Sequence, residues 1–180
     1  ISLEFSTNAI DDWFNREVED SLLGAWRLAQ TYYHETGDRS QLHATRLAET
    51  IAPALPESGE LDAPTRTELL ERIAKYQRDY GLGAVQLFDA GGAPVIAVRG
   101  ERAPSAPSLG ADADLFERAR AGKPAIRVEP LGGTDVVRAA AVMRGADGTV
   151  RGILIADSIV DESARDWSER ALTSFREYRK

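Results

Sequence analysis

Apolar residues recur along the N-terminal stretch at steps of three and four: Ile10, Phe14, Val18, Leu22, Ala25, Ala29 and Tyr32. That period lays one stripe along a helix over 11–35. Trp26 and Tyr33 widen the stripe on one side. Trp13 and Leu23 project away from it, because successive side chains turn by about 100°. The helix therefore has two apolar surfaces, one for the sheet and the other for a second copy of the same helix or for cover by the second or third helix. His34-Glu35-Thr36-Gly37-Asp38 reads as its end, with Gly37 near the position after the cap. A short second helix over 41–51 carries Leu42, Leu47 and Ile51 and closes before Pro53 and Pro56. Pro64 opens a third helix, Glu68 complements its dipole, and Gly81 stops it after Tyr80. At the far end Val160, Ala164, Trp167, Ala171, Phe175 and Tyr178 repeat the helical spacing over 160–180.

Between these helices the period shortens from 3.6 to 2. The segments 84–89 and 94–99 flank Ala90-Gly91-Gly92-Ala93 and form a hairpin. A short helix over 112–121 carries Leu115, Phe116 and Ala119 and stops at Gly122 and Pro124. Three strands follow at 125–129, 135–143 and 150–159, joined at Gly132-Gly133 and at Ala146-Asp147-Gly148. Strands joined by tight turns are antiparallel, since parallel pairs need long crossovers. The predicted class is α+β: a five-stranded antiparallel sheet with a long N-terminal helix and a C-terminal helix. The whole of 1–180 reads as a single domain, with a helical part over 1–80, the sheet over 84–159 and the last helix over 160–180.

Composition narrows the function. Apolar residues make up 43% and charged residues 28%, which is ordinary for a folded domain. A net charge of -7 argues against a nucleic-acid partner, which would need a basic stripe. Cysteine is absent, so disulfides, thiolate metal sites and thiol nucleophiles are excluded together. The two histidines, His34 and His43, stand near helix ends without a carboxylate cluster at ligand spacing and are expected at the surface. Ser105 and Ser108 lack a nucleophile elbow, and neither double glycine has the Lys-Ser or Lys-Thr of a phosphate loop. No cofactor is implied.

The element order, with a helical connection between the second and third strands, resembles the extracytoplasmic PAS-like sensor folds called Cache domains. Within them the likeness is to the NtrY-like sensor histidine kinases. Ile10-Asp11-Asp12-Trp13-Phe14-Asn15-Arg16-Glu17-Val18-Glu19 and Ala171-Leu172-Thr173-Ser174-Phe175-Arg176-Glu177-Tyr178-Arg179 carry it. Val85 to Gly92 resembles the first hairpin of such sheets, and Gly152 to Asp157 their final strand. In that family the two helical stretches adjoin transmembrane segments. The resemblance therefore implies a periplasmic sensor domain of an inner-membrane protein, anchored on both sides. Neither terminal helix carries a stop signal at the chain ends, which points the same way. No kinase motif lies in these residues, so any kinase activity would reside elsewhere in the parent protein.

Three residues are candidates for ligand contact. Arg138 shares a strand face with Val136, Ala140 and Val142, and its charge there demands either a carboxylate partner or a ligand. Arg127 alternates with Ile126 and Val128 and is expected on the same side. In Cache-like domains the ligand lies between the sheet and its covering helices, so two arginines there suit a small carboxylate or phosphate. Internal pairing with Asp157, Glu129 or Asp135 is the competing assignment. Asp157 shares a side with Ile153, Ile155 and Ile159, where it either holds a ligand ammonium group or caps the last helix. The expected role is ligand sensing without catalysis, in a homodimer joined through the N-terminal helix. A soluble α+β enzyme using the arginines as substrate clamps is the alternative, and a ligand-free dimerisation module is a third possibility.

Overall fold

The computed structural model describes residues 2–58, 60–103, 113–131 and 133–160, with Asp166, Arg170, Thr173, Arg176 and Glu177. Within 2–25 it describes the side chains of 9–12, 16, 20, 23 and 24. The chain divides into two compact units, Ile1–His34 with Asp161–Lys180, and Glu35–Val160.

In the first unit the helix α1 (Ser2–Ile51) begins. Ala29 is buried, Tyr32 and Tyr33 are half-buried, and their rings meet edge to face at 6.2 Å. Ile10, expected in the core stripe, is 62% exposed, and Leu23, Trp26 and Leu28 are also exposed. Trp13 lies outside the described side chains. Asp166, Arg170, Thr173, Arg176 and Glu177 are helical, and beyond Val160 the rest of the helix expected over 160–180 lies outside the described residues.

The second unit holds the sheet. Its N-terminal part corrects the expected break at Gly37: α1 runs unbroken to Ile51, then a 3-10 turn covers Ala52–Ala54. Gly37 is buried, and a Cβ placed on it would stand 3.2 Å from Ile126 Cγ2 and 3.9 Å from Val137 Cγ1. It is there because the helix passes close to the sheet. One turn later Ser40 Oγ is 2.5 Å from Ser158 Oγ. The Gln41 amide donates to the Ala140 carbonyl at 2.9 Å and accepts from the Ala125 N–H at 3.0 Å. A glycine inside a helix costs about 1 kcal/mol, less than these buried contacts return. The left-handed glycine cap foreseen for a helix end does occur, at Gly81 (φ 63°), which closes α2 (Ala63–Tyr80). Asp62 caps the start of α2, its side chain accepting from the Thr65 N–H at 2.8 Å.

His43 corrects a second expectation. It is buried between α1 and α2, with Nδ1 2.9 Å from the Tyr76 hydroxyl and its ring 4.6 Å from that of Tyr80. Burial, then Arg46 and Arg39, lowers its pKa. His34 is exposed.

The strands are β1 (Ala84–Asp89), β2 (Pro94–Arg99), β3 (Ile126–Leu131), β4 (Thr134–Arg144) and β5 (Val150–Ile159), with α3 (Ala113–Arg120) between β2 and β3. They form one antiparallel sheet in the order β2-β1-β5-β4-β3. Val160, expected in the last helix, instead follows β5, buried, with its N–H on the Asp135 carbonyl at 2.9 Å. Both faces of the sheet are covered. Val85, Leu87, Ala139, Met143, Leu154 and Ala156 pack against Ala44, Leu47 and Ile51 of α1 and Leu69 and Ile73 of α2. On the opposite face Phe88, Ala140, Ile153 and Ile155 pack against Leu115, Phe116 and Ala119 of α3.

Candidate functional site

The face under α3 carries the polar residues. Strand register sets them in one row across all five strands: Arg99 opposite Ala84, Ala84 opposite Asp157, Asp157 opposite Arg138, and Arg138 opposite Arg127. Residues directly opposite share a face, so the three candidates from the sequence, Arg127, Arg138 and Asp157, are brought side by side.

Arg138 and Asp157 are buried, at 4% and 6% exposure, while Arg127 is exposed. The Arg138 guanidinium lies between two carboxylates. Its Nη1 is 3.2 Å from Glu129 Oε2 on β3. Its Nε is 3.4 Å from Asp157 Oδ1, and its Nη2 donates to Asp157 Oδ2 at 3.5 Å. The internal pairing foreseen for Arg138 is thus the observed one, with Asp157 and Glu129. Asp157 lies inside β5 and pairs across the sheet; residues 161–165, where a helix cap would act, lie outside the described residues.

The pairing is incomplete. Arg138 Nε, Asp157 Oδ1, Glu129 Oε2 and Gln86 Oε1 are buried and make no hydrogen bond among the described residues. The Arg138–Asp157 contact is long for a charge-assisted bond, which ordinarily closes to about 2.7–2.9 Å. Burial pushes the Asp157 carboxyl up to about 6; Arg138 opposes the rise, Glu129 adds to it and Arg99 opposes it. A cavity of about 20 Å³ adjoins these groups, lined by Ala84, Gln86, Arg99, Val136, Arg138 and Asp157 among others. That volume admits one water molecule. Gly83, Arg99 and Ile159 also line a wider cleft of about 520 Å³ beside it.

Sequence reasoning missed Arg99. Its signal was the hairpin register: strands 84–89 and 94–99 joined by a four-residue turn place the first residue of one opposite the last of the other. Gln86 was missed because a neutral amide in an alternating strand carries no signal of burial. Ser105 and Ser108 lie outside the described residues.

No protein-family model matches the chain, and no curated protein matches it. Solved structures do. The ligand-binding domain of the Campylobacter jejuni chemoreceptor Tlp3, in complex with L-norvaline, superposes with a TM-score of 0.56 at 17% identity, over 84% of this chain and 62% of that one. The same domain with L-valine gives 0.52 at 17% identity, over 86% and 66%. The extracellular domain of mmHK1S-Z2, a protein assigned as a histidine kinase, gives 0.53 at 18% identity, over 78% and 60%. The chain spans about three fifths of the length of these neighbours. It has the α+β fold of Cache-like sensor domains: a long N-terminal helix and a five-stranded antiparallel sheet.

Proposed function

We propose that this chain is the extracytoplasmic ligand-sensing domain of a membrane-bound sensor histidine kinase of the NtrY-like kind, without catalytic activity of its own. The observation that carries the reading is the row of Arg99, Asp157, Arg138 and Arg127 across the sheet, with a buried, incompletely satisfied ion pair at its centre. Folded proteins rarely leave buried polar atoms without a hydrogen bond, and among the described residues four such atoms cluster here, on Gln86, Glu129, Arg138 and Asp157. No helix among the described residues is long and apolar enough to cross a membrane; the anchoring segments belong to the parent protein on either side of the domain.

The ligand is a small molecule bearing an anionic group together with an ammonium group. Arg138 is already matched by two carboxylates, so a simple anion gains little there. A zwitterion places its carboxylate on Arg127 and Arg138 and its ammonium on Asp157, leaving the net charge of the buried pair unchanged. Tlp3 bound to L-norvaline and L-valine lends this chemistry support. Occupancy shifts the population of two arrangements of the terminal helices, which requires only different affinities for the two states. The domain acts as a homodimer through α1, whose Leu23 and Leu28 are exposed.

A thermal-shift series with short aliphatic amino acids and the corresponding carboxylic acids tests the site. The amino acids should raise Tm, and Arg127→Ala should abolish that rise while leaving the apo Tm within a few degrees. An equal response in the variant rules the site out. Sedimentation over a concentration series should show weak self-association that Leu23→Asp removes; a monomer at every concentration would argue against the dimer.

A further inference from the structure

The cleft beside the row has a character of its own. It lies where the C-terminal end of α2 meets the end of β2, and its volume of about 520 Å³ falls within the range of small-molecule sites. Three arginines line it, Arg78, Arg99 and Arg102, against one carboxylate, Glu101. In a chain of net charge -7 this is a local inversion of sign, and a cleft of one sign concentrates counter-ions. Arg78 and Arg102 are exposed, and their side chains make no ion pair or hydrogen bond among the described residues. The carbonyl end of α2 accounts for Arg78 in its last turn but not for Arg102.

The floor between cleft and cavity is close-packed backbone. The Gly83 N–H donates to the Asp157 carbonyl at 2.8 Å, and the Gly100 N–H to the Gly83 carbonyl at 2.8 Å. A Cβ on Gly100 would stand 2.6 Å from Gln77 Nε2, and one on Gly83 2.7 Å from Ile159 Cγ1. The backbone that carries Arg99 beside β5 therefore has little room to shift, while Arg78 and Arg102 stand exposed at the rim.

We propose that this cleft is a second binding site, for a small dissolved oxyanion of the phosphate type, held by Arg78, Arg99 and Arg102. Guanidinium groups bind tetrahedral oxyanions through paired, charge-assisted hydrogen bonds. The site goes beyond the sensing function proposed above and stands without a ligand over the row.

Its consequence is a link between the two places. Asp157 is faced by Gln86 from β1, Arg99 from β2, Glu129 from β3 and Arg138 from β4, while α3 presents the apolar Leu115, Phe116 and Ala119 to that face. The Arg99 charge helps keep Asp157 ionised. An oxyanion on Arg99 offsets that charge, so the Asp157 carboxyl takes up a proton more readily. By linkage, protonation of Asp157 strengthens oxyanion binding by the same factor.

Phosphate titration at constant ionic strength, with chloride as the balancing ion, tests the cleft. NMR would follow the arginine Nε–H signals and the Asp157 carboxyl. Saturable shifts at Arg78, Arg99 and Arg102 in the millimolar range are expected. The exposed double variant Arg78→Gln/Arg102→Gln should weaken binding by about tenfold or more. Asp157→Asn, uncharged at every pH, should bind phosphate more tightly than the wild type at pH 8, where wild-type Asp157 is ionised, by the factor that the phosphate-induced rise of the Asp157 midpoint predicts. In the wild type, saturating phosphate should raise the titration midpoint of Asp157. Unsaturable shifts matched by chloride, or unchanged binding in the double variant, would overturn the proposal. Phosphate binding that depends on Arg127 and Asp157 but not on Arg78 and Arg102 would place the anion over the row; it would remove the cleft site and leave the sensing function standing.

Discussion

The two faces of the sheet solve opposite problems. Under α1 and α2 the buried residues of the sheet are aliphatic, and Leu154, Val85 and Met143 are wholly buried. Under α3 an apolar patch of similar kind gives way, two residues along β4 and β5, to Arg138 and Asp157 in direct register. Burying a charge pair with four unsatisfied polar atoms costs stability that an aliphatic pair would not. Ile153, Ile155 and Ala140 show that this face can pack aliphatic residues. Natural folds tolerate such a cost where a site needs it, and the ligand-sensing role proposed above rests on this contrast between the faces.

The sharpest way to break the contrast is to remove Arg138. Arg138→Ala strands Asp157 and Glu129, and should destabilise the domain by about 3–5 kcal/mol in urea unfolding at pH 7.5. The same measurement on Asp157→Leu/Arg138→Leu/Glu129→Gln should give a protein at least as stable as the wild type. A loss as large as that of Arg138→Ala would mean the polar row is a structural keystone rather than a functional cost.

On the apolar face, Leu154→Ala should cost about 2–4 kcal/mol, the ordinary cost of a cavity in a packed core, with no change in any ligand response. If the ligand response is lost with it, the two faces are not separable.

Asp157 titrates at about 6 in the folded protein, above its ordinary 3.8. Between those values the native state holds a proton that the unfolded chain does not, so stability should fall as pH rises through that window. The change is on the order of 3 kcal/mol across the window, and it should vanish in Asp157→Asn. Urea midpoints at pH 4.5 and 7.5, wild type against variant, measure it; parallel profiles would contradict the burial of the ionised form.

The smallest effect concerns the helix seating. Gly37→Ala gains helix propensity of about 1 kcal/mol but presses on Ile126, which is 37% exposed and can move aside. The net change should stay within about 1 kcal/mol. Gly37→Val should cost about 1–3 kcal/mol through overpacking against Ile126 and Val137. Equal stability of the two variants would show that the helix does not seat on the sheet at this point.

The alternation of apolar residues set the sheet almost to the residue. The first hairpin was read at 84–89 and 94–99, the bounds that β1 and β2 have, and β5 was read at its full length. The same alternation put Arg138 and Asp157 on faces shared with Ala140 and with Ile153 and Ile155, as found. These patterns are local: a side chain two residues along a strand points the same way whatever lies opposite.

What only the tertiary structure decided was every contact between segments distant in the chain. Gly37 looked like a helix end because glycine favours caps locally; its seating over Ile126 and Val137, with Ser40 on Ser158 and Gln41 spanning Ala125 and Ala140, kept the helix whole. His43 looked like a surface residue until Tyr76 and Tyr80 of another helix enclosed it. Arg99 joined the site through register across Ala84, and strand order set Arg138 between Asp157 of β5 and Glu129 of β3. The sequence by itself determined which residues face the same way, since that follows from backbone period; which of them meet depends on strand order and close packing, which arise only when the whole sheet closes on its helices.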